Sequence, residues 1–160
     1  EVGVGVIPAG GGCKEMALRA ASYATHSDLM TYVQAYYQQI ATAQVASSAT
    51  DAQQMGYLRT TDRTIMHANE VLYAALAQVK FMQEANYLPP IAKRFRVAGI
   101  EGHARLQVGL VNWLEGGFIS KHDYVLANEL AYVLCGGDLN QGTLVITQSP
   151  ILVAQRLASF

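Results

Sequence analysis

The first fifteen residues, EVGVGVIPAGGGCKE, restrict the fold of this chain more than any other segment. Residues 1–7 are rich in valine and isoleucine, as strand ends commonly are, and Pro8 interrupts that pattern. The glycines of Ala9–Gly12 supply the backbone freedom that a tight loop requires. Lys14–Tyr23 then follows with helical spacing of its apolar residues. We therefore expect an extended segment, a tight loop and a helix N-terminus whose free amides can face a polar ligand.

A dinucleotide-binding loop is the first alternative to test for this segment. Gly3 and Gly5 match the start of a Gly-x-Gly-x-x-Gly fingerprint, but Pro8 occupies the position of its third glycine. No glycine-led phosphate loop follows a strand in the required register. We therefore expect no cofactor-binding residue in this chain.

Helical periodicity and helix-capping residues continue along most of the chain. A serine followed three residues later by aspartate resembles a capping box at Ser48 and at Ser120. Glycines close several of the predicted helices, and KRFR at 93–96 is expected to be a basic connector. The further predicted helices run from Ser27 or Asp28 to about Ala46, Ser48 to Met55, Asn69 to Asn86, Ile100 to Leu114, Ser120 to Cys135, and from Ser149 onward. The fragment is thus predicted to be mainly α, with one short extended segment at its N-terminus.

The clearest apolar face belongs to the helix expected at Asn69–Asn86. Its apolar side chains repeat at helical spacing, and Pro89 and Pro90 follow it. The residues on this face are Leu72, Ala75, Leu76, Val79 and Met82.

Composition excludes several classes of function. The 160 residues carry a formal net charge of −1, and the scattered basic residues argue against nucleic-acid binding. No apolar run reaches the roughly 18 residues of a membrane span. The two cysteines form no Cys-x-x-Cys motif, which favours a reducing, cytoplasmic location.

Glu1 to Gly12 resemble the signature of the crotonase superfamily, in which a catalytic glutamate precedes Ile-Pro-Gly-x-Gly-Gly and the start of a helix. In the enoyl-CoA hydratases of that family, two glutamates hold a water that is added to an enoyl-CoA thioester. The resemblance implies that Glu1 is the second of this catalytic pair. It also implies that Ala9 and Gly10 bind substrate, although Ala9 stands where family members commonly have glycine. The backbone amide that positions the water is retained at an alanine.

Downstream segments are similar to the tail of long bacterial 3-hydroxyacyl-CoA dehydrogenases of fatty-acid β-oxidation, in which a crotonase unit follows an NAD-dependent part. The matching segments are Tyr87–Ile91, Val97–Gly99, Glu115–Tyr124 and Ala131–Asp138. The resemblance covers residues 1–145. It implies a crotonase-like α/β fold of which residues 1–90 form the C-terminal part, with a helical tail subdomain at 91–160.

The same resemblance implies partners and limits for this chain. The expected substrate is an acyl-CoA. The longer protein of which this chain would be a part, called the parent here, is expected to bind NAD in its dehydrogenase part. The remainder of the parent chain is an expected partner, and so is a second copy in a homo-oligomer. The chain alone is expected to be an inactive fragment, because the oxyanion hole and the first glutamate precede Glu1 in the family. The rival hypothesis is a non-catalytic helical module for docking or oligomerisation, favoured by Ala9 and by the long helix from Asp28.

The remaining reactive side chains predict no second active site. The histidines fall on separate predicted elements without metal-ligand spacing, so we expect structural roles and no metal. The cysteines and the tyrosine cluster are expected to pack in the core or at an interface. These residues are His26, His67, His103, His122, Cys13, Cys135, Tyr32, Tyr36 and Tyr37.

Overall fold

The computed structural model describes residues 5–8, 11–24, 28–89 and 91–146, which form two compact units. One unit combines residues 1–45 with 92–160, and the other contains residues 46–91. The described residues are mostly helical. Their elements are α1 (Gly12–Tyr23), α2 (Leu29–Ala41), α3 (Ala49–Gln54), a 3-10 helix (Ala68–Glu70), α4 (Val71–Glu84), β1 (Arg94–Arg96), α5 (Gly99–Glu115), α6 (Lys121–Cys135) and β2 (Leu144–Ile146).

Helix α2 of the first unit begins and ends for identifiable reasons. Asp28 caps α2 by accepting a hydrogen bond from the amide of Met30 at 3.1 Å. Thr42 closes the helix, since its hydroxyl donates to the Gln38 carbonyl at 2.7 Å. Ala43 then adopts a positive φ of 51°. The helix is confirmed, but the predicted end near Ala46 is wrong because the chain turns at Ala43.

Helices α5 and α6 pack against each other. The predicted capping box at the start of α6 is confirmed, since the Ser120 hydroxyl accepts from the Asp123 amide at 3.1 Å and Asp123 accepts from the Ser120 amide at 3.0 Å. The Ser120 hydroxyl also donates to the Asp123 carboxylate at 2.7 Å. This bond, together with the one from the Ser120 amide, holds the pKa of Asp123 below its ordinary value. Gly136 ends α6 with a φ of 96°. Glycine is required there because an added Cβ would lie 2.8 Å from Val97 Cβ.

A two-stranded antiparallel sheet joins the segments on either side of this helix pair. Arg94 pairs with Ile146, Phe95 with Val145 and Arg96 with Leu144. Phe95 and Val145 are buried and their neighbours are exposed, as strand alternation requires. Residues 94–96 therefore form a strand, and their prediction as a connector was wrong.

The core of the first unit lies where α1 and α2 pack on α6 and α6 packs on α5. Its largest fully buried side chains are Leu110, Leu130, Leu134, Val33, Cys13 and Cys135. Gly102 of α5 permits close approach in this core, because an added Cβ would lie 3.0 Å from the Met30 sulfur on α2 and 3.3 Å from the Cys135 sulfur on α6.

The second unit contains α3, the 3-10 helix and α4. Ser48 caps α3 as predicted, accepting from the Asp51 amide at 3.1 Å, and Gly56 follows with a φ of 78°. The Asp51 carboxylate bonds to Ser47 rather than closing a capping box on Ser48. Helix α4 is confirmed, but it buries none of its residues against the part of the chain that the structure describes.

The assignment of residues 1–90 to a crotonase-like unit stays a prediction. Across the described ranges, no helix combines the length and apolarity needed to cross a bilayer.

Candidate functional site

The N-terminus of α1 presents backbone amides directly after the glycine-rich loop. Gly11 is its N-cap residue, with a left-handed φ of 88°, and no side chain caps the helix there. The first-turn amides of an α-helix have no partner within the helix, and its dipole makes that end attractive to negative charge. The end of the predicted loop therefore has the local geometry that sequence alone indicated.

Pro8 and Cys13 fix the loop against the helix. The Cys13 thiol lies 3.8 Å from the Pro8 carbonyl oxygen, which accepts its weak hydrogen bond. A Cβ added to Gly12 would lie 3.3 Å from Pro8 Cβ, so glycine allows this close approach. The two flanks of the loop are thereby held on the first turn of α1.

The segment before the loop lies against α6. Gly5 has a φ of 81°, and a Cβ added to it would be 3.6 Å from Leu126 Cδ1 and 3.9 Å from His122 Nε2. The positive φ accounts for a glycine at this position. This packing places Gly5 of the motif against α6.

The three predicted site residues, Glu1, Ala9 and Gly10, lie outside the described residues. Their roles stay predictions. The described residues on either side of Ala9 and Gly10 are Pro8, which precedes them, and Gly11, which follows them.

The described histidines have separate structural surroundings. His103 Nε2 lies 3.1 Å from the Asn128 side-chain oxygen, which also accepts from Gln107 at 2.8 Å. His67 accepts from the amide of Asn69 at 3.3 Å. Within the described ranges, no three His, Cys, Asp or Glu residues are grouped so that they could hold a metal ion. His26 lies outside these ranges.

The cysteines and two of the three clustered tyrosines are core residues. Cys13 and Cys135 are 1% and 0% exposed, and burial raises the pKa of the Cys135 thiol to about 12. Tyr36 and Tyr37 are also buried. Burial raises the pKa of Tyr37, whose hydroxyl donates to the Ala127 carbonyl at 3.2 Å. The prediction that these side chains pack in the core is confirmed.

An open cleft of about 670 Å³ lies beside the two-stranded sheet. Lys93, Arg94 and Arg96 line it together with residues near the C-terminal end of α1 and the start of α2. Sequence reasoning missed this feature because it treated 93–96 as a connector. The signal available was the alternation in Arg-Phe-Arg-Val, which places both arginines on one face of a strand.

The chain is similar to a protein of Bacillus subtilis (strain 168) named "Probable 3-hydroxyacyl-CoA dehydrogenase". The two are 35% identical over 149 residues, which cover 91% of this chain and 18% of that protein. The chain therefore spans less than a fifth of the length of this curated relative. No protein-family model matches the chain, and no solved structure gives a significant match.

Proposed function

We propose that this chain is part of a fatty-acid β-oxidation enzyme that acts on acyl-CoA thioesters, and that it supplies one carboxylate of an enoyl-CoA hydratase site. The parent would also oxidise 3-hydroxyacyl-CoA with NAD, which binds elsewhere in the longer protein. The similarity to a probable 3-hydroxyacyl-CoA dehydrogenase supports the first part of this proposal. The second part, the enoyl-CoA hydratase site, is proposed from the residues around Glu1.

The observation that carries the hydratase proposal is the loop flank at α1. A left-handed Gly11 leads into a helix whose first turn has no side-chain cap, directly after Pro8 and the predicted binding residues Ala9 and Gly10. Such an arrangement offers backbone amides to a polar group. The crotonase resemblance requires amides in this loop to position the reacting water.

The chemistry requires a carboxylate at Glu1 and a second one from another part of the longer protein. Hydration forms a bond from the water oxygen to C3 of the enoyl thioester and a C–H bond at C2, while the C2=C3 double bond is lost. The thioester oxygen bears the negative charge of the intermediate enolate. A glutamate within hydrogen-bond reach of the water can transfer its proton, which is the role proposed for Glu1.

The proposal predicts that the full-length protein converts crotonyl-CoA to 3-hydroxybutyryl-CoA without added cofactor. The measurement is the loss of absorbance of the conjugated thioester, followed by NADH formation once NAD is supplied. As a control, 3-hydroxybutyryl-CoA should yield NADH directly. If that control gives NADH but crotonyl-CoA does not, the parent is a dehydrogenase without hydratase activity, and the hydratase proposal is wrong.

A second candidate function, docking to the rest of the longer protein, is favoured by the apolar surface of α4. Leu72, Leu76 and Val79 lie on one helical face and are 70%, 61% and 61% exposed. Tyr73 and Phe81 add 72% and 63% exposed aromatic rings. Contiguous exposed apolar surface commonly marks an interface. Because the matched relative extends well beyond the aligned region, we propose that another segment of the parent chain covers α4.

Docking predicts a change in the reactivity of a cysteine placed on α4. Leu76→Cys in the 160-residue chain should react readily with a maleimide, since Cys13 and Cys135 are buried and compete little. In the full-length protein, labelling should be slower by about tenfold or more, because the covering segment closes off the thiol. Met66→Cys, at a position that is 95% exposed, serves as the control. Equal rates at position 76 in both proteins would contradict docking.

A further inference from the structure

We infer that the cleft beside the β1–β2 sheet binds the phosphate groups of a nucleotide-bearing thioester, with Arg94 and Arg96 as its anion-binding residues. The identity of the ligand as coenzyme A rests on the proposed function. The binding of a phosphate-bearing ligand rests on the cleft itself.

Strand geometry brings the two guanidinium groups to one surface. Arg94 and Arg96 flank Phe95, which is 5% exposed and anchors the strand in the core. Side chains two positions apart on a strand lie on the same face, so both arginines project away from the core. Their partners across the sheet are Ile146 and Leu144, not carboxylates.

The charge balance of the lining favours an anion. Lys93, Arg94 and Arg96 contribute three cationic side chains, and Asp28 is the one carboxylate among the described residues of the wall. Asp28 is already engaged, since one oxygen caps α2 and the other lies 3.7 Å from the Arg105 guanidinium. Neither Arg94 nor Arg96 forms a side-chain hydrogen bond or ion pair within the described ranges. Arginine suits phosphate because its planar fork can donate two parallel hydrogen bonds.

The rest of the lining fits the less polar parts of a cofactor-sized molecule. Leu18, Ala21, Leu29 and Leu144 form apolar wall beside the cations. The volume of about 670 Å³ is in the range of small-molecule sites. Coenzyme A and NAD both carry a diphosphate and could supply the shared chemistry, but coenzyme A adds a 3′-phosphate and a flexible pantetheine arm. These additional groups match a cleft with three cations and an apolar wall.

The first test separates phosphate binding from catalysis in the full-length protein. The double variant Arg94→Gln/Arg96→Gln should raise KM for crotonyl-CoA by about tenfold while kcat is unchanged, because charge-assisted bonds to phosphate are lost. Kinetics with crotonyl-pantetheine, which has no nucleotide phosphates, should not change. Arg63→Gln, at an exposed arginine of the second unit, is the matched control. The inference would be overturned if the double variant left KM for crotonyl-CoA unaltered. It would also be overturned if the variant raised KM equally for crotonyl-CoA and crotonyl-pantetheine.

The second test uses the unaltered full-length protein and does not depend on hydratase activity. Phenylglyoxal modifies accessible arginines, and mass spectrometry reports the rate at each position. Coenzyme A should slow modification of Arg94 and Arg96 but not of Arg63, while pantetheine and NAD should give no protection. Protection by NAD in place of coenzyme A overturns the ligand assignment, and absence of protection by either overturns the site. If coenzyme A protects Arg94 and Arg96 but the protein does not hydrate crotonyl-CoA, the result would count against the proposed function alone.

Discussion

Replacing Glu1 with glutamine in the full-length protein should lower kcat for crotonyl-CoA hydration by about 10²–10⁴-fold, the range typical of a lost general acid or base. Glutamine retains the size and hydrogen-bonding capacity of the side chain but cannot exchange a proton at working pH. The measurement is the steady-state rate of loss of the conjugated thioester. Because the change concerns the chemical step, KM should change much less than kcat.

Two controls assign the effect of Glu1→Gln to hydration. Oxidation of 3-hydroxybutyryl-CoA with NAD should be unaffected, since we propose that this step takes place in another part of the longer protein. Glu15→Gln, at a half-buried carboxylate in an i,i+4 pair with Arg19 at 3.6 Å, should leave hydration near the original rate. A Glu1→Gln protein with unchanged kcat would remove this residue from the mechanism.

Gly99→Ala should destabilise the first unit by about 3 kcal/mol or more, through left-handed strain and overpacking together. Gly99 begins α5 with a φ of 66°, and a Cβ there would lie 2.5 Å from backbone atoms of Leu139, Asn140 and Gln141. Backbone cannot move aside as a flexible side chain can. The Ile100 amide also donates to the Leu139 carbonyl at 2.8 Å, so relief of the clash would cost this contact.

Urea unfolding of the chain, followed by the fluorescence of its single tryptophan, Trp113 on α5, measures this loss. Gly109→Ala is the matched control on the same helix, because an added Cβ there meets nothing within 4 Å. Its higher helix propensity should stabilise the helix by about 0.5–1 kcal/mol. Equal unfolding midpoints for the two variants would show that the α5 start tolerates a side chain.

Local signals predicted the helices well. Ser48 and Ser120 are bonded to the amides three residues later, and Gly56 and Gly136 adopt the left-handed conformation expected where helices end. These features depend on residues close in sequence, so one chain suffices to recognise them. The end of α2 was misjudged because Ala43, a residue that rarely adopts positive φ, carries the turn.

The sheet and the cleft were not predicted because they depend on distant partners. Each strand has only three residues, so the alternation in its sequence is brief, and β1 pairs with a segment far along the chain. Phe95 alone indicated a buried position between two arginines. The exposure of α4 could not be read from its sequence either, because an apolar helical face predicts burial without naming the partner.

The predicted catalytic residues illustrate a different limit. Glu1, Ala9 and Gly10 were assigned by resemblance, and the described structure provides only the flanks of their loop, Pro8 and Gly11. The rate of crotonyl-CoA hydration by the Glu1→Gln protein therefore tests the assignment of Glu1. The helical architecture around α1 and α6 follows directly from the described packing.

The pairing of β1 with β2 has a kinetic consequence for the cleft. We expect residues 94–96 and 144–146 to come together after the intervening α5 and α6 have formed and packed, since loop closure over that length is otherwise entropically costly. We therefore expect the strands to form late in folding. Mutations at Phe95 and Val145 should then give a low kinetic φ, the ratio of the change in the folding barrier to the change in stability. Arg94 and Arg96 should then reach one face of a strand only at this late step, so the cleft that they line should be completed at the end of folding.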